Sequence, residues 1–184
     1  MAPRPRRPWP PGFNAVRARR AAGLILIFAA DHVPHVVLTV RSDHLRHGGQ
    51  VSLPGGVVEP GESMEQAALR EAREEVALTA PVTMLGALSP VDIPVSGFRL
   101  YPVVACCAER PELRPADDEV ARILEVPLAD LLAAGAVRWE PLERDGVIYT
   151  VPGFGVGGAR VWGATAMVLS ELLVLLGWEG PSEE

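Results

Sequence analysis

An α+β fold is what this sequence predicts, and three patterns predict it. Short apolar, β-branched runs recur along the chain with turn residues between them. A helix with a clear start signal lies in the first half, and an apolar helix closes the chain. These elements mix without the regular βαβ alternation of a doubly wound sheet. A chain of 184 residues suits one domain with a sizeable core. Its hydrophobic fraction of 48% and charged fraction of 22% are those of a soluble globular protein.

Residues 1–20 are rich in proline and arginine and hold no acid, so they read as an extended arm ahead of a domain over residues 21–180. Such an arm is a loosely ordered tail, a segment packed on a neighbouring subunit or, in a eukaryote, a targeting segment. It lacks the apolar stretch and small-residue cleavage site of a secretory signal. The apolar run 23–29 reads as a buried strand, Pro34 as a turn, and 35–40 as a second strand. A polar loop over 41–50 leads to a brief strand at 51–53 and the turn Pro54-Gly55-Gly56. Beyond the next helix, 81–88 and 98–107 read as strands connected through 93–97. A polar turn region at 111–118 precedes a strand at 119–126. Pro127 opens a short helix over 128–133, which Gly135 ends. Residues 138–139 and 146–151 pair as a late hairpin, and 153–158 form a flexible glycine loop. The run 161–178 is a largely buried helix; Ser170 and Glu171 interrupt it, which argues against a membrane span.

The most informative stretch is 53–78, LPGGVVEPGESMEQAALREAREEVAL. Ser63 as N-cap and Gln66 three residues on form a capping box, so a helix starts there. At a period of 3.6, Ala68, Leu69, Ala72 and Val76 share a core-facing side. Glu71, Glu74 and Glu75 fall together on the adjoining arc, while Arg70 and Arg73 point elsewhere. Carboxylates at i, i+3 and i+4 repel one another. They are either a solvated acidic face, partly relieved by an Arg70–Glu74 pair, or ligands for a hard cation such as Mg²⁺ or Mn²⁺. Charge does not decide between these readings; spacing does.

The stretch resembles the signature of the Nudix hydrolases, G-x5-E-x7-R-E-U-x-E-E-x-G-U, where U is a bulky aliphatic residue. Gly56, Glu62, Arg70, Glu71, Glu74, Glu75 and Leu78 match it, while Ala72 is smaller than usual and Ala77 stands where the pattern has glycine. Upstream, LTVRSDHLRHGGQVSLPGG is similar to the extra motif of the coenzyme A pyrophosphatase branch. Leu38, Thr39, Arg41, Ser42, Arg46, Gly49, Pro54, Gly55 and Gly56 can be placed on that motif. Val37 and Leu53 depart from it, and the Arg46-to-Gly49 spacing is one residue short. The ending VWGATAMVLSELLVLL is similar to the final helix of the same branch.

The resemblance implies the Nudix fold, a mixed central β-sheet sandwiched between α-helices. It implies Mg²⁺- or Mn²⁺-dependent hydrolysis of a diphosphate, with coenzyme A or its derivatives cleaved to 3′,5′-ADP and 4′-phosphopantetheine or its acyl form. The metal would be held by the Gly55 carbonyl, Glu71 and Glu75, with Glu74 serving an additional ion or bridging. Arg70 would orient the acids, and Gly56 and Glu62 would be structural. Glu119, in Asp117-Asp118-Glu119, is the candidate base or extra metal ligand. Arg41, Ser42, Arg46, Gly49 and Gly56 would contact substrate, the arginines meeting the 3′-phosphate unless they merely decorate a solvated loop. His44 and His47 are loop residues. Two rival readings stand beside this one: a Nudix hydrolase of another nucleoside diphosphate derivative, such as ADP-ribose or a dinucleotide, and a non-catalytic Nudix-fold binding domain.

Composition sets the remaining bounds. A net charge of −6 argues against a general nucleic-acid binder. All 17 basic residues are arginine, so any phosphate clamp is built from guanidinium groups that grip bidentately. Cys106 and Cys107 are adjacent in an apolar strand, where they point to opposite faces and form neither a disulfide nor a shared metal site. That usage fits a cytoplasmic location. The expected partner is a small-molecule substrate, with no nucleic acid and no membrane, and the arm leaves a homodimer open.

Overall fold

Two sheets and three helices carry the chain in a computed structural model that describes Arg4, residues 13–144 and residues 146–181. The prolines of the expected arm lie outside the described residues. The larger sheet runs β3 (Val51–Ser52), β2 (Val33–Arg41), β1 (Arg19–Ala30), β7 (Phe98–Cys106) and β5 (Thr83–Ala87). Onto this path β4 (Gly55–Val57) adds to β1, β6 (Val91–Ile93) to β7 and β8 (Val120–Pro127) to β2. The β1–β7 pair is parallel and the other pairs are antiparallel, so the sheet is mixed. A smaller antiparallel sheet orders β11 (Ala159–Trp162), β10 (Val147–Val156) and β9 (Val137–Arg144).

Alternation along β1 sorts its side chains between two cores. Ala22, Leu24, Leu26 and Phe28 face α1 (Met64–Val76) and join Ala67, Ala68, Ala72 and Val76. Ile25 faces the other way, into a core shared with the small sheet, with Leu128 and Leu131 of α2 (Leu128–Leu132), and with α3 (Gly163–Leu175). The large sheet is thus sandwiched between α1 and a mixed layer of helices and strands, as the sequence implies, with the small sheet as an addition.

Several local expectations are corrected. β1 starts at Arg19, so Arg19 and Arg20 belong to the sheet rather than to an arm. The β1–β2 turn is at Asp31 and His32, both at positive φ, and Pro34 sits inside β2 opposite Ala29. Residues 153–156 are strand, not loop: they pair with β11, leaving Gly157 and Gly158 as the turn. The closing helix begins at Gly163, because Val161 and Trp162 complete β11. α2 stops at Leu132, ahead of Gly135. Cys106 and Cys107 are free thiols, as expected.

Candidate active site

α1 starts where its cap requires. Ser63 Oγ accepts from the Gln66 N–H at 3.2 Å and Gln66 Oε1 accepts from the Ser63 N–H at 2.8 Å, a reciprocal box that fixes the first turn. The helix ends at Ala77, whose φ of 54° is left-handed. That is the position where the family pattern carries glycine, and alanine adopts it against its own preference.

The glycine turn is a short strand. Gly55 lies opposite Gly23 in the antiparallel β4–β1 ladder, while the flanking hydrogen bonds run from the Leu24 N–H to the Pro54 carbonyl and from the Val58 N–H to the Arg20 carbonyl. Gly55 therefore turns its N–H and carbonyl away from β1. Its N–H donates to Glu75 Oε2 at 3.0 Å, and its carbonyl lies on the same open edge. A Cβ on Gly55 would run into the Ala22 carbonyl, and one on Gly56 into the Glu71 carboxylate. Both glycines permit close approach, the first of backbone and the second of an acid.

Arg70 ties the acids together, although the helical period alone points it away from them. Its Nε donates to Glu62 Oε1 at 2.9 Å, its Nη1 to Glu71 Oε1 at 2.9 Å and Glu74 Oε2 at 3.0 Å, and its Nη2 to the Val57 carbonyl at 2.9 Å. A three-methylene stem and a planar fork of donors let one guanidinium span a helical turn and the loop before it. Glu62 is held below the usual carboxylate range by its hydrogen bond to Arg70 and by the Glu59 N–H.

Glu75 and Glu71 are the strained members. Glu75 is buried and its carboxyl is pushed up to about 7 by desolvation, against which the Gly55 N–H pulls down; the charges of Glu71, Asp117 and Glu119 push it further up. Glu71 is raised as well, mainly by desolvation, with Glu74 and Glu119 adding repulsion against the pull of Arg70. Glu74 is 57% exposed and faces outward.

Glu119 closes the acidic edge from the other side. Asp117 Oδ1 accepts from the Glu119 and Val120 N–H groups at 2.9 and 3.3 Å, an aspartate turn that sets the start of β8. Arg41 Nη1 donates to Glu119 Oε2 at 3.0 Å. The backbone of Ser42, which is buried, donates to the Glu119 carbonyl at 2.8 Å. Gly49, at φ 75°, donates to the Arg41 carbonyl at 2.8 Å and closes the 42–48 loop. Arg46 is exposed; its carbonyl accepts from Arg41 Nε at 3.1 Å, while its guanidinium is free among the described residues. The structure thus brings Arg41, Ser42 and Glu119 together at the acidic edge, whereas Arg46, expected beside them, has its side chain at the surface. Sequence reasoning gives Asp117 no role of its own, although an aspartate three residues ahead of a strand start is a recognisable turn signal. It also passed over the bond by which Thr165 Oγ1, near the start of α3, donates to the Val51 carbonyl at 3.3 Å and ties the closing helix to the strand feeding the glycines.

No three His, Cys, Asp or Glu side chains among the described residues converge as a ready metal cage; Arg70 holds one oxygen each of Glu71 and Glu74, and the Gly55 N–H holds one of Glu75. The donor set nonetheless fits a hard cation. Glu71 and Glu75 each keep an oxygen without a protein partner, the Gly55 carbonyl faces the same edge, and the buried Glu75 carboxylate lacks compensating positive charge. A cavity of about 630 Å³ bordered by His35, Arg110 and Glu125 contains none of these groups, so chemistry rather than cavity size locates the site.

The NUDIX domain model matches residues 17–144. The chain belongs to the Nudix family. Relatives named as the uncharacterized Nudix hydrolase NudL are 38% identical in Yersinia enterocolitica, over 88% of this chain and 84% of theirs, and 42% identical in Salmonella paratyphi B, over 89% and 86%. Among solved structures, a Nudix hydrolase from M. smegmatis, RenU, superposes with a TM-score of 0.63 at 21% identity over 91% of both chains. A C. elegans Ap4A hydrolase superposes at 0.52 and 22% identity over 62% of this chain and 83% of its own. These structural likenesses speak to the fold. The chain is a Nudix pyrophosphohydrolase, a class that acts on small molecules and needs a divalent metal.

Proposed function

We propose that this Nudix hydrolase cleaves the diphosphate of coenzyme A or its derivatives, giving 3′,5′-ADP and 4′-phosphopantetheine or its acyl form. The observation that carries the reading is Arg41: it ends β2 where the upstream loop begins, lies at the edge of the acidic centre, and bonds there to Glu119. A guanidinium in that place suits a substrate with a phosphate beside its diphosphate.

Gly55 through its carbonyl, Glu71 and Glu75 would hold Mg²⁺ or Mn²⁺, with Glu74 adding a ligand or bridging. When bound, the ion neutralises the diphosphate and lowers the pKa of a water. Arg70 keeps Glu62, Glu71 and Glu74 in place, so the acids do not splay apart by mutual repulsion. Glu119, with 52% of its side chain exposed, accepts the proton of the attacking water. The water oxygen bonds to one phosphorus, and the bridging oxygen leaves with the other half. Arg41, Ser42 and Gly49 shape the subsite for the 3′-phosphate, and Arg46 has a free guanidinium to add to it. Two free cysteines accord with a cytoplasmic home.

A substrate panel tests this directly. Coenzyme A should be hydrolysed with a kcat/KM above those for dephospho-coenzyme A, ADP-ribose and dinucleoside polyphosphates. Preference for ADP-ribose would transfer the reading to another nucleoside diphosphate derivative. Inactivity across the panel with both Mg²⁺ and Mn²⁺ would point to a binding domain.

A further inference from the structure

Arg41 is tied twice, and the two ties join different parts of the site. Its Nη1 holds Glu119 at 3.0 Å and its Nε holds the Arg46 carbonyl at 3.1 Å, so one side chain bridges the loop to the acidic edge. The backbone around it is fixed. The Arg41 N–H donates to the Gln50 carbonyl at 2.9 Å, and the Ser42 N–H to the Glu119 carbonyl at 2.8 Å. On the β8 side, the register with β2 shifts between Val40 and Arg41, so that Ala121 has no partner while Arg41 lies opposite Val120. Such a bulge re-aims the side chains beside it. Asp117 holds the backbone of Glu119 from below.

With both backbones fixed, the soft part is the ion pair itself. It is 37% exposed on the arginine side and 52% on the glutamate side, and a pair so open to water contributes little stability. A phosphate dianion presents more charge and a bidentate face to the same guanidinium, and outcompetes a single carboxylate oxygen. Glu119 meanwhile stands close enough for its charge to act on Glu71 and Glu75. While Arg41 holds it, one Oε2 lone pair is engaged and the carboxylate is kept at the arginine.

We propose that Arg41 is a positioning latch: it restrains Glu119 in the free enzyme and exchanges it for the peripheral phosphate of the substrate, so recognition at the loop releases the group that serves the reaction. This rests on the coenzyme A reading above and adds the means by which the extra phosphate raises turnover as well as affinity. A substrate without that phosphate leaves the latch closed and reacts with Glu119 still held.

The test compares coenzyme A with dephospho-coenzyme A, which differ by the 3′-phosphate alone, on wild-type, R41Q and R41K enzymes. In the wild type, coenzyme A should show the higher kcat as well as the lower KM. R41Q should raise kcat for dephospho-coenzyme A about two- to fivefold, or ~0.4–1 kcal/mol at about 1.4 kcal/mol per factor of ten. The same variant should raise KM for coenzyme A and erase the kcat difference between the substrates; R41K should restore it in part. A purely phosphate-binding arginine would change KM for coenzyme A alone, and a purely structural one would lower kcat for both substrates; either result overturns the latch while the coenzyme A reading stands. A crystal structure with 3′,5′-ADP supplies a readout apart from turnover. The latch requires Arg41 on the 3′-phosphate and parted from Glu119. An intact Arg41–Glu119 pair in that complex, or failure of 3′,5′-ADP to bind, overturns it. Wild-type enzyme that cleaves neither coenzyme marks instead the failure of the substrate reading and takes the latch with it.

Discussion

The acidic helix and the arginine loop supply the two halves of the site in opposite ways. In the helix region the four acids of the site are placed by backbone-anchored partners: Glu75 by the Gly55 N–H, and Glu62, Glu71 and Glu74 by one guanidinium. In the loop region the backbone is held by six hydrogen bonds, yet the Arg41 side chain holds Glu119 weakly and that of Arg46 reaches into water. Chemistry common to a family needs fixed donors, and that is where rigidity is found. Selection among diphosphates needs contacts that exchange, and that is where exposure is found.

The largest way to break this contrast is Glu75→Gln. Turnover should fall by roughly 10²–10⁴-fold, while Tm at pH 8 holds or rises because a buried charge is gone. Near-normal turnover would remove the helix from the chemistry. Stability against pH probes the same carboxylate. Its pKa is raised to about 7 from 4.5, so between these values the folded chain keeps a proton that the unfolded chain has lost. Metal-free protein therefore loses stability as pH rises through that window, by up to ~3 kcal/mol. Glu71, also raised, acts in the same direction. Denaturation midpoints from pH 4.5 to 8 should decline without divalent metal and recover with Mg²⁺ or Mn²⁺; a flat profile would contradict the burial of an uncompensated acid.

Smaller effects sharpen the comparison. Arg70→Gln leaves three acids short of a donor and should cost about 1–3 kcal/mol by urea denaturation. Ala77→Gly relieves a left-handed alanine and should stabilise by about 0.5–1 kcal/mol, visible as a rise in Tm with unchanged kcat. A loss of stability there would mean that the left-handed end is not the strained point it resembles.

How much of this could be read from residues depends on whether the determinant is local. Ser63 and Gln66 announced the helix start, and the spacing from Gly56 to Glu75 announced the centre, because capping and helical period act within a few residues. β4 was hidden: a Gly-Gly pair has little strand preference and becomes strand by pairing with β1, far away in sequence. Val161 and Trp162 were joined to the closing helix, since an apolar run cannot by itself distinguish buried strand from buried helix. For Arg70 the helical period gives only the Cα direction, while the length of the side chain brings its guanidinium back to Glu62 and the Val57 carbonyl. The Arg41–Glu119 pair joins residues 78 apart, and no local pattern encodes it.

The account stands on the claim that the buried edge formed by Gly55, Glu71 and Glu75 takes a divalent cation. Mn²⁺ titration followed by electron paramagnetic resonance measures that without any substrate. Wild-type protein at pH 8 should show saturable binding, and Glu75→Gln should weaken it at least about tenfold, as loss of an ionised oxygen ligand does. Equal Mn²⁺ affinity in the two proteins, both folded by circular dichroism, would contradict it.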